Sequence, residues 1–195
     1  RERRPVVGGT VVDIRHSQVI DAVVVVNPEV HTDHRGVFVE TWRRQWVSGA
    51  REIAQANRVD RLAGSLVGLH YHLHQADFWY VTAGRARVVL HDLRVGSPTD
   101  GATELFDLGG DGTARHRGVY IPPGVAHGFA ALSDLTITYL VDGTYDSSDE
   151  LGVAWNDPAV GADWGVAEPV LSERDRANPA RADLADDLRP VHGER

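Results

Sequence analysis

Short runs of apolar, β-branched residues alternate with turns rich in Gly, Pro and Asp along most of the chain. Runs of this kind at fairly regular spacing are typical of the strands of a β-sandwich or barrel. The pattern predicts strands in seven segments: Val6 to Ile14, Ala22 to Asn27, Gly36 to Thr41, Phe78 to Thr82, Ala86 to Leu93, Gly118 to Ile121 and Leu135 to Val141. The chain is therefore predicted to be all-β.

Helical signals are few. Trp42 to Ala56 is predicted to form one helix, and Glu173 to Leu188, rich in Ala, Arg and Asp, a polar C-terminal one. No internal repeat or low-complexity linker divides the sequence. We therefore expect a single domain over residues 1–195, with its core at about 20–175 and a loose tail from Arg189 to Arg195.

The amino-acid composition excludes several kinds of binding partner and of catalytic group. The formal net charge of -8 argues against general affinity for nucleic acid or an anionic membrane. The chain has no Cys, and all 20 basic residues are Arg, which excludes disulfides, thiolate metal sites, a Cys nucleophile and a catalytic Lys. The sequence contains no apolar run of transmembrane length and no signal-peptide pattern, so a cytoplasmic location is expected.

Histidines form the densest chemical cluster. His70, His72 and His74 would project to the same side of an extended segment, and Leu73 to Ala76 has about the length of a hairpin loop. A further histidine, His127, follows a Pro-Gly turn. Imidazoles brought together from two strands can bind a metal, or one of them can act as a base.

Seven motifs in order resemble the dTDP-4-dehydrorhamnose 3,5-epimerase family, sugar-nucleotide epimerases built on a cupin-type double-stranded β-helix, or jelly roll. The motifs are Asp33 to Glu40, Gln55 to Asn57, Gly68 to Tyr71, Asp92 to Thr99, Pro122 to Phe129, Trp155 to Pro158 and Leu171 to Asp175. The resemblance covers most of the chain, from about His31 to Arg189. It implies a homodimeric isomerase of deoxysugar biosynthesis that needs no cofactor.

The resemblance also implies a reaction and its residues. The substrate would be a dTDP-4-keto-6-deoxyhexose, epimerised at C3, C5 or both through an enolate. His70 would be the base, Asp175 its carboxylate partner and Tyr139 the acid. The substrate-binding positions would be Arg35, Glu40, Gln55, Asn57, His127 and Tyr145, some of them reaching across the dimer interface.

Three of these residues also have plain structural interpretations. Tyr139 lies in an apolar run and could belong to the core with its hydroxyl hydrogen-bonded. Asp175 could cap the C-terminal helix, and Arg35 could form only a surface ion pair.

Three positions depart from the family pattern, and all of them belong to its active site. Val67 replaces an Arg that contacts phosphate in the family, and His72 replaces a Gln. Asp77 falls where the family has the Lys that stabilises the enolate. A GC-rich genome tends to replace Lys by Arg, which would keep the positive charge at this position. Asp reverses that charge.

The same changes resemble the metal-binding motifs of the wider cupin superfamily, whose ligands would here be His70, His72, Asp77 and His127. These groups suit Zn²⁺, Fe²⁺, Mn²⁺ or Ni²⁺. Three hypotheses follow. In the first, His70 is a free base and another donor, such as Arg87, replaces the Lys. In the second, His70 is a ligand and a divalent metal supports a changed reaction on a related sugar nucleotide. In the third, the chain is a non-catalytic cupin that binds a sugar nucleotide.

Overall fold

Two antiparallel β-sheets face each other in the computed structural model, which describes residues 11–112 and 115–193. The strands are β1 (Asp13–His16), β2 (Val24–Asn27), β3 (Val30–Asp33), β4 (Gly36–Val39), β5 (Gln55–Arg61), β6 (Leu66–Tyr71), β7 (Asp77–Ala83), β8 (Arg85–Asp92), β9 (Thr103–Gly109), β10 (Gly118–Ile121), β11 (Val125–Ala131), β12 (Leu135–Val141) and β13 (Leu151–Gly152). Their orders are β1-β2-β10-β7-β12-β5 and β13-β6-β11-β8-β9, and β3 pairs with β4 in a separate hairpin. The predicted all-β jelly roll is confirmed.

The core lies between the two sheets and is filled by alternating side chains of the strands. Ile137 and Leu135 of β12 pack with Val81 of β7 against Leu90 and Phe129 of the opposite sheet. Because β7 and β8 belong to different sheets, the chain changes sheet at Gly84. Its φ of 74° is in the left-handed region, and a Cβ there would meet the Asp134 carbonyl at 2.1 Å.

A second apolar layer covers the outer face of the five-stranded sheet. Val153, Val160 and Trp164 from the C-terminal segment pack on this face. Every residue of β11 is buried as a result, and apart from His127 the strand carries no polar side chain on either face. The layer holds the C-terminal segment beside β6, the strand that carries His70.

Both helix predictions need correction. Residues 42–56 contain one 3₁₀ turn at Arg44–Trp46, and β5 begins at Gln55. The C-terminal segment has α1 (Glu173–Ala177) and two further 3₁₀ turns, Arg181–Asp183 and Asp186–Leu188. The helix ends where it does because Pro179 disfavours helical geometry at Asn178, whose ψ is 139°.

The predicted strands are confirmed apart from shifted ends, except that residues 6–10 lie outside the described chain. The strand pattern missed β3, β5, β6, β9, β11 and β13. Residues 73–76 do not close a hairpin, because β6 and β7 lie in different sheets. Within 11–112 and 115–193, no helix is long and apolar enough to span a membrane.

The C-terminal residues are attached to the domain as far as they are described. Val191 bridges Val95, and the Arg189 guanidinium donates to the Leu93 carbonyl and to Asp100. The expectation of a loose tail is therefore wrong for 189–193, because the tail has partners on the loop after β8. Residues 194–195 lie outside the described chain.

Candidate active site

A cavity of about 510 Å³ is lined by residues of both sheets. Gln55, Asn57 and Val59 of β5 and Tyr139 of β12 line it from the six-stranded sheet, and His70 of β6 from the other. The remaining polar lining residues are Arg51, Arg61, His72, His74, Gln75, Asp77, Trp79, His127, Asp142, Thr144, Tyr145, Asp146, Asp149 and Glu150. The predicted site residues therefore meet in one cavity, apart from Asp175, which lies behind His70, and Arg35 and Glu40.

His70 is held by a buried carboxylate. Its Nε2 lies 2.6 Å from Oδ1 of Asp175, which is 4% exposed. Burial acts to raise the pKa of Asp175, but the hydrogen bond and charge interaction with His70 outweigh it and hold that pKa below its usual value. An ionised Asp175 fixes the His70 ring with Nε2 donating, so that Nδ1 is the nitrogen able to accept a proton.

Asp175 owes its position to the start of α1. Its backbone N–H donates to Oγ of Ser172, the N-cap residue, at 3.0 Å. Ser172 is therefore the N-cap of α1, and the interpretation of Asp175 as a helix cap is wrong. The Asp175 side chain is left to point at His70 rather than at the helix backbone.

A second group of ligand-type atoms lies beside this pair. His72, Asp77 and His127 each offer one atom, and the three atoms lie within 4.8 Å of one another. Nε2 of His72 is 3.9 Å from Asp77 Oδ1, and Nε2 of His127 is 4.0 Å from Asp77 Oδ2. The structure brings together three of the four predicted ligands and leaves out His70, whose Nε2 lies against Asp175.

Backbone carbonyls fix both imidazoles of this group. Nδ1 of His72 lies 2.7 Å from the Asp149 carbonyl, and Nδ1 of His127 lies 2.9 Å from the Val125 carbonyl. A carbonyl only accepts, so each Nδ1 carries a proton, and each Nε2 faces Asp77. Burial lowers the pKa of His127 to about 4, partly opposed by the charge of Asp77, so this ring is neutral at neutral pH.

Asp77 is oriented by two further donors. Its Oδ1 accepts from Gln75 Nε2 at 2.9 Å, and its Oδ2 accepts from the indole N–H of Trp79 at 3.0 Å. The Trp79 ring also packs edge-on against His127, with centroids 5.1 Å apart. These contacts explain how a carboxylate is kept in place at a buried position.

Tyr139 faces this group from the six-stranded sheet. Its ring centroid is 6.3 Å from that of Trp79, and Asn57 is its register partner on β5. Burial raises the pKa of Tyr139, so the hydroxyl is protonated at neutral pH and can donate. Although its ring packs at the edge of the core, Tyr139 also reaches the cavity.

The predicted substrate-binding residues fall into two groups. Gln55 donates to Asn57 at 2.9 Å and accepts from the backbone N–H of Tyr145 at 3.1 Å, all three lining the cavity. Arg35 and Glu40 do not line the cavity of their own chain. Arg35, in the turn between β3 and β4, pairs with Asp33, and Glu40, just after β4, pairs with Arg43.

The proposed substitute cation, Arg87, is also absent from the cavity wall. It lies on β8, where its guanidinium pairs with Asp107 at 2.8 Å. Val67 does line the cavity, as an apolar side chain. The arginines that reach the cavity are Arg51 and Arg61 among the described residues, and sequence reasoning singled out neither. The signal for Arg61 was its even spacing from Gln55 and Asn57 along β5.

Comparison with known proteins gives a consistent result. Residues 17–183 match the family model described as dTDP-4-dehydrorhamnose 3,5-epimerase. The dTDP-4-dehydrorhamnose 3-epimerase of Streptomyces niveus is 39% identical over 165 residues, covering 80% of this chain and 78% of that protein. The dTDP-4-dehydrorhamnose 3,5-epimerase of Sinorhizobium fredii is 32% identical over 188 residues, covering 91% and 95%.

Solved structures agree with the sequence comparison. NovW, a 4-keto-6-deoxy sugar epimerase of Streptomyces spheroides, is 35% identical, with a TM-score of 0.87 and coverage of 96% of this chain and 97% of that one. An epimerase of Legionella pneumophila in complex with dTDP-4-keto-L-rhamnose is 30% identical, with a TM-score of 0.86 and coverage of 94% and 100%.

Proposed function

Because the chain belongs to the dTDP-4-dehydrorhamnose 3,5-epimerase family, we propose that it epimerises a dTDP-linked 4-keto-6-deoxyhexose in the cavity between its sheets. The family match confirms the predicted isomerase of deoxysugar biosynthesis. The carbon atoms that are epimerised, the residue roles, any metal and the oligomeric state belong to the proposal. The observation that carries it is the buried His70–Asp175 pair at the cavity wall.

His70 removes a proton from the carbon next to the C4 carbonyl. The C3 and C5 hydrogens are acidic because the carbanion that their removal leaves is an enolate. Asp175 keeps the His70 ring in one orientation and stabilises the imidazolium that forms. His127, by contrast, stays neutral and lies beside the sugar position.

Tyr139 returns a proton to the opposite face of the sugar. Inversion requires that the proton leave from one side of the ring and arrive from the other. His70 is on a strand of the five-stranded sheet and Tyr139 on a strand of the six-stranded sheet, so the two groups approach a bound sugar from opposite walls. The Tyr139 hydroxyl remains protonated at neutral pH, as an acid must.

The nucleotide is bound by residues of both protomers of a homodimer. Gln55, Asn57 and Tyr145 line the cavity and hold it within one chain. Arg35 and Glu40 lie outside their own cavity on and beside the hairpin β3–β4, whose Phe38 is 67% exposed, and this placement supports contact with the cavity of the other protomer. Cytoplasmic location is part of the proposal, because nucleotide-linked sugars are made there.

Hydrogen exchange tests the reaction. Incubation with a dTDP-4-keto-6-deoxyhexose in deuterated water should place deuterium at C3, C5 or both, and the labelled positions report which carbons react. Mass spectrometry and proton NMR of the product measure this. If the chain binds the nucleotide but incorporates no label at either carbon, it is a sugar-nucleotide-binding cupin and the epimerase proposal fails.

A metal-dependent reaction is the second candidate, favoured by the arrangement of His72, Asp77 and His127. The enolate oxygen needs a compensating positive charge, and the position of the family's Lys is occupied by Asp77. Two imidazoles whose Nε2 atoms face one carboxylate fit a divalent ion such as Zn²⁺, Fe²⁺, Mn²⁺ or Ni²⁺. Such an ion, when bound, acts as a Lewis acid.

The three-residue group lets both hypotheses hold together. His72 and His127 each donate Nδ1–H to a carbonyl, the arrangement that commonly orients metal-bound histidines. Meanwhile His70 stays with Asp175 and remains available as the base. The conflict over His70 that the sequence raised is removed if the ion is held by the other three residues.

Metal analysis tests this candidate independently of turnover. Protein produced with added metals and purified without chelators should contain about one divalent ion per chain, and His72→Gln should lose it. His74→Gln is the matched control, because His74 lines the cavity but lies outside the group. Metal-free wild-type protein, or equal metal content in the two variants, would rule out the three-residue site.

A further inference from the structure

The cavity wall is poor in positive charge for a ligand that carries a diphosphate. Five carboxylate residues line it: Asp77, Asp142, Asp146, Asp149 and Glu150. Among the described residues, only two arginines do so, Arg51 and Arg61. Since a diphosphate is held by guanidinium or ammonium groups in most sites, these two arginines are the candidates that one chain offers from its own cavity wall.

The guanidinium of Arg51 already forms an ion pair and a hydrogen bond within the protein. Its Nε donates to Asp142 Oδ2 at 2.8 Å, and its Nη2 donates to the His74 carbonyl. Asp142 in turn accepts from the backbone N–H of Ala76 at 2.8 Å. Arg51 therefore ties together the loops at residues 73–76 and 142, and its charge is offset by a buried carboxylate.

Arg61 has no comparable partner within the described chain. It forms no ion pair with a carboxylate there, and the hydrogen bond recorded for its guanidinium goes to the carbonyl of the adjacent Asp60, at 2.9 Å. It ends β5 on the face that Gln55, Asn57 and Val59 present to the cavity. Its charge also partly opposes the burial that raises the pKa of Tyr139, a second residue of the same cavity wall.

Val67 shows why such a charge is needed. Its side chain lines the same cavity but is apolar, at the position where the resemblance implies a phosphate-binding Arg. We propose that Arg61 binds the diphosphate of the sugar nucleotide and replaces the cation missing at position 67. The proposal rests on the proposed function, since it takes a nucleoside diphosphate as the ligand.

The test compares dTDP with thymidine, which lacks the phosphates. By isothermal titration calorimetry, Arg61→Gln should weaken dTDP binding about tenfold or more at low salt while changing thymidine binding less than twofold. Arg58→Gln is the matched control. Arg58 is on the same strand but its side chain is outside the cavity, where it pairs with Asp60, so dTDP binding should stay within twofold of wild type.

A second variant distinguishes charge relocation from structural damage. Adding Val67→Arg to Arg61→Gln should restore dTDP binding to within about threefold of wild type. If Arg61→Gln binds dTDP like wild type, or weakens thymidine equally, Arg61 is not the phosphate-binding residue. These titrations are independent of turnover, so a wild type that binds dTDP but shows no hydrogen exchange would refute the epimerase reaction while leaving the role of Arg61 intact.

Discussion

Nε2 of His70 lies 2.6 Å from Oδ1 of Asp175, across 105 residues of sequence. The hydrogen bond joins β6 to α1, and therefore the cavity wall to the apolar layer outside the five-stranded sheet. Asp175 is buried with its backbone N–H capped by Ser172. The C-terminal segment thus positions the base, His70, through this hydrogen bond without itself entering the cavity.

Asp175→Asn should lower the rate of hydrogen exchange into substrate by about 10²-fold or more. Asparagine keeps the shape and the capped backbone N–H but cannot stabilise a protonated His70, and its amide can donate to Nε2 and turn the ring into the wrong tautomer. The rate of deuterium incorporation at saturating substrate measures the effect. Unchanged exchange in a variant with wild-type thermal stability would show that Asp175 only supports the fold.

Burial leaves a readable pattern in a strand such as β12, which begins with alternating apolar and polar residues, whereas β11, which is buried at every residue, was missed. β10 and β12 have the predicted ends because they pack apolar side chains in the core. β5 was missed, and its Gln55 and Ala56 were assigned to a helix, because its inward face, from Gln55 to Arg61, lines a polar cavity instead of the core. A strand that builds a site therefore lacks the apolar alternation that identifies strands elsewhere.

The site was predictable only where a motif identified its residues. His70 and Asp175 are brought together by tertiary packing, and no spacing in the sequence expresses their contact. The same packing removes His70 from the metal-type group, which the motif alone could not anticipate. Arg61 was missed because its importance comes from the commitment of Arg51 to Asp142, a contact across 91 residues.

Tyr139→Phe should separate proton removal from proton return. His70 is untouched, so wash-out of hydrogen into deuterated water should continue, while net formation of the inverted sugar falls about 10²-fold. Product stereochemistry by NMR, followed beside deuterium content, measures both steps. Full epimerisation by Tyr139→Phe at the wild-type rate would remove Tyr139 as the acid and leave it a residue of the cavity wall.

His72→Gln combined with Asp77→Lys should restore to the cavity the residue types that the family has there. The double variant is expected to contain no metal and to exchange substrate hydrogen, because the ammonium group supplies the charge beside the enolate. Asp77→Asn alone should lose the metal and about 10² to 10³ of the exchange rate, with no cation to replace it.

Metal content and exchange rate are measured together on the three proteins. A double variant that folds, binds dTDP and exchanges no faster than Asp77→Asn would contradict the view that positive charge at this point of the cavity is what the reaction requires. Wild-type activity that survives complete removal of metal by a chelator would contradict the metal-dependent reaction.

His91 should make the stability of the fold depend on pH. Its ring is fully buried, and burial, reinforced by the charge of Arg181, lowers its pKa to about 4 from the ordinary 6.5. Nδ1 lies 2.8 Å from Thr103 Oγ1, and Nε2 is buried without a hydrogen-bond partner among residues 11–112 and 115–193. The unfolded chain therefore takes up a proton on His91 below about pH 6.5, while the folded chain resists it until about pH 4.

The free energy of unfolding should consequently fall as the pH drops through this window, by about 2 kcal/mol between pH 7 and pH 5 from His91 alone. Urea unfolding at the two pH values measures the loss, and His91→Gln, which cannot titrate, should show a loss smaller by that amount. His16→Gln is the control, because His16 is exposed on the edge strand β1 and should leave the wild-type dependence intact. Equal pH dependence in wild type and His91→Gln would mean that the folded protein accommodates a charged His91, which its burial among apolar strands argues against.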